Sequence, residues 1–199
     1  MKKTISTTIY GWFYNSSFKK GMKINNVNYD AKSIIKEYDT IIKRAKEIGK
    51  SRLICSYCIG AYFIATNRVL SNSVESNYEI FRDGLCNNRL LRMILGNARS
   101  YLDVKKMPAR KQWEVRSHLR EYENDWVVDV LPKNDDYDLG YNYFECGICK
   151  LCKDEGCLEI AKYLCRLDYI LADMMGLKLV RTQTIAEGAQ YCDFRYSKK

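Results

Sequence analysis

Proline and histidine are scarce in this chain of 199 residues, which holds only Pro108, Pro132 and His118. With no Pro-, Gly- or Ser-rich stretch to act as a linker, residues 1–199 are expected to form one domain. A lone histidine, set among Arg116, Arg120 and Glu121, excludes zinc sites built on several histidines and speaks against a Ser-His-Asp arrangement. No GxGxxG or GxxxxGK[ST] run is present, so nothing cradles a nucleotide phosphate. No stretch approaches the roughly 18 apolar residues of a membrane span. The basic Met1-Lys2-Lys3 start leads into Ser6-Thr7-Thr8 rather than an apolar signal core. A cytoplasmic protein without a membrane partner is expected.

What is present describes a folded globular chain, with 47% hydrophobic and 29% charged residues. The net charge of +9 is unevenly spread: residues 1–120 carry 23 Lys/Arg against 9 Asp/Glu, and residues 121–199 carry 10 against 15. The basic residues are scattered singly or in pairs over amphipathic segments, so solvated helix faces account for them and nucleic acid is not an expected partner. The nine cysteines are expected to be reduced in a cytoplasmic setting, and an odd number cannot all pair within one chain.

Hydrophobic spacing divides the chain in two. Ile34, Tyr38, Ile41, Ala45 and Ile48 predict a helix over 30–49, with Asp30 as its cap and Gly49 as its stop. Further helices are expected over 54–70, 76–95 and 109–122. From about residue 123 the texture changes. Strands are expected at 126–130 and 141–146 around the polar turn at 132–136, then at 177–182 and 191–196 around Glu187-Gly188. Between the two pairs, residues 156–175 predict a long helix ended by Gly176. The reading is α+β: a mainly helical part over about 1–122, packed with a C-terminal antiparallel sheet over about 123–199 that one long helix crosses.

Two groups of residues could carry chemistry. Cys146, Cys149, Cys152, Cys157 and Cys165 fall within twenty residues, and the first four could hold zinc or an iron–sulfur cluster in a non-catalytic sensor domain. Against that stands a reduced, cysteine-rich packing surface. A second C-x2-C, Cys55 and Cys58, opens a helix. On the 156–175 helix, Ile160, Leu164, Leu167, Leu171 and Met174 form the core seam, and Ala161, Cys165, Asp168 and Ala172 lie on its flank. There Asp168 could act as acid/base or bind a cation, with Cys165 as a nucleophile one turn away. The alternative is an Asp168 paired with an arginine such as Arg181.

Three segments then fall in order: Cys165-Arg166-Leu167-Asp168, Arg181-Thr182-Gln183-Thr184 before Gly188, and Cys192-Asp193-Phe194-Arg195-Tyr196. This pattern, well covered over residues 140–196, resembles the C-terminal signature of the L-2-amino-thiazoline-4-carboxylic acid hydrolase family. The resemblance implies a hydrolase that opens a small cyclic isothiourea acid without a cofactor. It implies catalytic roles for Cys165, Asp168, Cys192 and Asp193, and a substrate-binding role for Arg181, Thr182 or Arg195. Side-chain alternation along the last strand puts Cys192 toward the Cys165–Asp168 flank, and Asp193 with Arg195 away from it as a structural pair.

Overall fold

The computed structural model describes Met1 and residues 3–199. It begins with a helix that hydrophobic spacing does not announce, α1 (Ile5–Ile24). Thr4 and Thr7 cap it reciprocally, each side chain reaching the other's backbone amide. Its outward face keeps Ile5, Ile9 and Trp12 exposed, which blurs the apolar stripe that would have given the helix away.

The helical part continues through α2 (Ala31–Arg44), α3 (Ile54–Val69), α4 (Val74–Cys86), α5 (Arg89–Leu95), α6 (Ala98–Tyr101) and α7 (Met107–His118). Asp30 caps α2 as expected, accepting from the Lys32 amide at 3.0 Å. The helix stops at Ala45, short of Gly49, because Ala45 is already extended. The predicted 76–95 helix is two helices, since the Asn88 side chain caps a new one by accepting from the amides of Leu90 and Leu91. α3 is buried along nearly its whole length and forms the centre of the helical core. α1 and α4 cross so closely that a methyl group on Gly84 would stand 2.0 Å from the Ser17 carbonyl oxygen, and one on Gly21 would stand 1.8 Å from that of Ile80. Only glycine permits that approach.

Four antiparallel strands follow: β1 (Val127–Leu131), β2 (Leu139–Glu145), β3 (Leu177–Val180) and β4 (Cys192–Lys198). They lie in the order β1-β2-β4-β3, with Tyr141 opposite Phe194 and Leu179 opposite Tyr196. β2 and β3 therefore run the same way with β4 between them, and the chain linking them crosses the sheet through two helices. The second, α9 (Ala161–Met174), is the predicted long helix, shorter because Gly156 turns the chain at φ +69°. The first, α8 (Gly147–Asp154), takes up the cysteine-rich segment and packs on α3. One face of the sheet is buried, through Val128, Val130, Tyr141, Leu179, Cys192, Phe194 and Tyr196. α9 ties the two cores together, with Leu164 and Leu167 in the helical core and Ala172 under the sheet. Among the described residues, no helix is long and apolar enough to cross a membrane.

Candidate functional site

α9, the loop after β3 and the start of β4 meet around one arginine. Arg181 follows the last residue of β3 and turns its side chain inward, leaving 4% of it exposed. Its Nη1 donates to Asp168 Oδ2 at 2.7 Å and its Nη2 to the Cys165 carbonyl at 2.9 Å. Tyr169 and Phe194 flank the guanidinium, their ring centres 4.9 and 4.8 Å from its central carbon. The Nε–H has no partner. A buried donor left unpaired is costly, and such sites are where a ligand's acceptor is most readily rewarded. The pairing of Asp168 with Arg181, one of the alternatives that the sequence left open, is the arrangement the fold adopts.

Asp168 is enclosed by protein, yet 34% of its side-chain surface remains open to water, so it faces a crevice rather than bulk solvent. Burial pushes its carboxyl up to about 6, against the lowering effect of Arg181. The Asp168 charge is felt by Tyr143, Cys146, Cys165 and Cys192. Burial and that charge raise the Cys165 thiol well above its ordinary range. Cys192 is raised to about 11, mainly by burial, although its sulfur accepts from the Ile185 amide at 3.2 Å.

Outside the arginine lies a cavity of about 280 Å³. α9 contributes Lys162, Cys165 and Tyr169 to its wall, and the loop after β3 contributes Arg181, Thr182 and Thr184. Asp168 is not in that wall; it holds the arginine that is.

Alternation along β4 is regular. Cys192 lies on the buried face with Phe194 and Tyr196, and Asp193 and Arg195 lie on the other. The expected Asp193–Arg195 pair does not form, because each side chain finds better-placed partners. Asp193 accepts from the amides of Thr182 and Gln183 at 2.9 and 2.8 Å and from the Thr182 hydroxyl at 2.7 Å, which fixes the loop lining the cavity. Arg195 donates to Asn142 Oδ1 at 2.8 Å and to the Tyr141 and Phe194 carbonyls, stacked over Tyr137. The structure thus brings Cys165, Asp168, Arg181 and Cys192 together, places Thr182 at the rim, and sets Asp193 and Arg195 behind the sheet.

Of the four cysteines considered as metal ligands, Cys149 and Cys152 lie within α8, Cys146 caps its N-terminus and Cys157 follows its C-terminal end. Among the described residues, no three His, Cys, Asp or Glu side chains gather as a cation would require. Lys162, Tyr169 and Glu187 also line the cavity and were not singled out by the sequence pattern. Tyr169 had a signal, one residue after Asp168 on α9, and its hydroxyl donates to the Arg181 carbonyl at 3.2 Å. His118 is a surface residue, 2.8 Å from Asp129.

This α+β chain thus sets a carboxylate and a buried arginine beside a small polar cavity. Residues 51–196 match the L-2-amino-thiazoline-4-carboxylic acid hydrolase family, and the chain belongs to it. No curated protein and no solved structure matches it.

Proposed function

We propose that this protein is a hydrolase that opens the ring of a small cyclic amidine or isothiourea acid, such as L-2-amino-thiazoline-4-carboxylate. The observation that carries the reading is the Asp168–Arg181 pair, a carboxylate poised near neutrality on a buried arginine at the wall of a 280 Å³ cavity. The volume suits a small acid rather than a polymer or a nucleotide. The substrate carboxylate binds among Arg181, Lys162 and the Thr182–Thr184 loop, with the unpaired Nε–H of Arg181 as a free donor.

Carbon C2 of such a ring lies between two nitrogens and a sulfur and becomes electrophilic when the amidine is protonated. With its carboxylate held in the cavity, the substrate extends its ring past Arg181 to the exposed third of Asp168; there Asp168, as a carboxylate, stabilises that cation and takes a proton from the attacking water. The tetrahedral carbon then expels ring sulfur or ring nitrogen, and the proton returns to the leaving atom. Cys165 and Cys192 shape the crevice; with thiols raised so far, neither is a ready thiolate at neutral pH.

The test is direct. Purified protein is incubated with L-2-amino-thiazoline-4-carboxylate, and loss of the ring is followed with release of free thiol or amine. Turnover that disappears in Asp168→Asn supports the reading. No consumption of this or related cyclic amidine acids by folded wild-type protein overturns it.

A further inference from the structure

The chain contains three C-x2-C pairs, and the fold gives them different surroundings. Cys55 and Cys58 lie within α3; the Cys55 sulfur is 2.8 Å from the Tyr14 hydroxyl, and burial raises both thiols. Cys149 and Cys152 both lie inside α8, where each thiol is taken up by a different neighbour, Cys146 and Cys157. Cys146 and Cys149 differ from both. Cys146 is the extended residue capping the N-terminus of α8, at φ −116° and ψ 116°, and Cys149 is the third residue of the helix. Side chains at these two positions face each other across the first turn, the geometry a capping box exploits. No side-chain cap bond ties up the Cys146 sulfur.

Gly147 pins this turn, since a methyl group there would stand 2.6 Å from both the Asn124 carbonyl and the Trp126 ring. Cys146 is half-buried and Cys149 buried, and both are free thiols. The first-turn amides of α8 have no intrahelical acceptors, and their field favours a thiolate at the cap. In keeping with that, the facing Cys149 thiol holds the Cys146 thiol below its ordinary range, whereas pairing with Cys146 and burial push Cys149 up. One reactive thiol facing one protonated, resolving thiol is the division of labour that dithiol exchange needs.

We propose that Cys146 and Cys149 form a redox-active dithiol that closes to a disulfide by exchange with small-molecule disulfides. The Cys146 thiolate attacks one sulfur of the small disulfide, forming a mixed disulfide and expelling one small thiolate. Cys149 gives up its proton and attacks the Cys146 sulfur, closing the intramolecular bond and expelling the second thiolate. The two protons end on the two released thiols; the protein loses two electrons and the small disulfide gains them. The proposal does not depend on the hydrolase reading.

The full-length reduced protein is exposed anaerobically to glutathione disulfide, quenched by alkylation and mapped by peptide mass spectrometry. A Cys146–Cys149 disulfide is expected to form before any other, and Cys149→Ser is expected to accumulate a glutathione adduct on Cys146. In Cys146→Ser, Cys149 is expected to remain unmodified. A readout that needs no variant is brief alkylation of the native protein, in which Cys146 should react first. Oxidation that begins at Cys152–Cys157 or Cys55–Cys58, an adduct on Cys149 in Cys146→Ser, or first alkylation elsewhere overturns the proposal. So does the absence of any protein disulfide at a glutathione poise that oxidises a small free dithiol.

Discussion

The helical core and the core beneath the sheet treat buried polar groups in opposite ways. Among the helices, tyrosine hydroxyls are matched: Tyr38 donates to the Thr7 carbonyl at 2.7 Å, and Tyr62 to Asn15 at 2.9 Å. Asn88 reaches across to Ser17 at 2.7 Å. At the junction of α9, β3 and β4 the matching is incomplete. Arg181 keeps an unpaired Nε–H, and Asp168 is a carboxylate whose burial opposes its charge. Fully partnered buried groups fix a structure, whereas partly partnered ones hold interaction energy for something else to claim. The first core is scaffold and the second holds the site.

The sharpest way to break the scaffold is at the crossing of α1 and α4. Gly84→Val places side-chain atoms where the Ser17 carbonyl oxygen now lies, and a backbone atom cannot swing aside. Overpacking of this kind costs about 3 kcal/mol or more, read as a fall in the urea midpoint. Because α9 contributes to both cores, the two parts should unfold in one transition. A stable proteolytic fragment ending near residue 125 would show that they are separable.

Changing the site should have the reverse profile. Asp168→Asn keeps an oxygen that can accept from Arg181 but loses the charge and the basic atom. Turnover is expected to fall by about 100-fold or more, with a small change in melting temperature. Wild-type kcat/KM should lose activity as pH falls through about 6, where Asp168 becomes neutral. The folded-state value lies above the ordinary carboxylate value, so the effect on stability has the opposite sense to a stabilising ion pair. Wild-type stability relative to Asp168→Asn should be greatest near pH 4 and should decline as pH rises through about 6. A difference that grows with pH would show that Arg181 outweighs burial.

How much of this was legible follows the same division. The strands, the α9 seam and the family motifs could be read because periodicity and residue order are local properties. The flank bearing Cys165 and Asp168 could be read because helical spacing puts them one turn apart. Both α1 and α8 escaped, the first because its outer face stays apolar and the second because cysteine spacing suggests ligands before it suggests a helix. The arginine pocket was beyond reach for a different reason. Alternation along β4 already turned Arg195 outward, but that Arg181 turns inward depends on where β3 ends, and only the assembled sheet decides it.

The finest test concerns Asp193, which belongs to neither core. Its carboxylate sits on the open face of the sheet yet collects three bonds from Thr182 and Gln183, residues that line the cavity. These bonds lower its pKa against the opposing effect of burial, so it is ionised across the neutral range. On the proposed reading Asp193 is a positioning residue, because it holds the Thr182–Gln183 loop that lines the cavity without lining the cavity itself. Asp193→Asn retains one acceptor oxygen and loses the other, and losing one charged acceptor costs about 1–2 kcal/mol of loop order. The expected result is a KM raised several-fold with kcat nearly unchanged, since Asp168 and Arg181 keep their pair. Asp193→Ala, which frees the loop altogether, should exaggerate the same pattern, whereas Arg195→Gln should leave both constants alone and lower only stability. A fall in kcat comparable to that of Asp168→Asn would move Asp193 from the loop's anchor into the reaction itself.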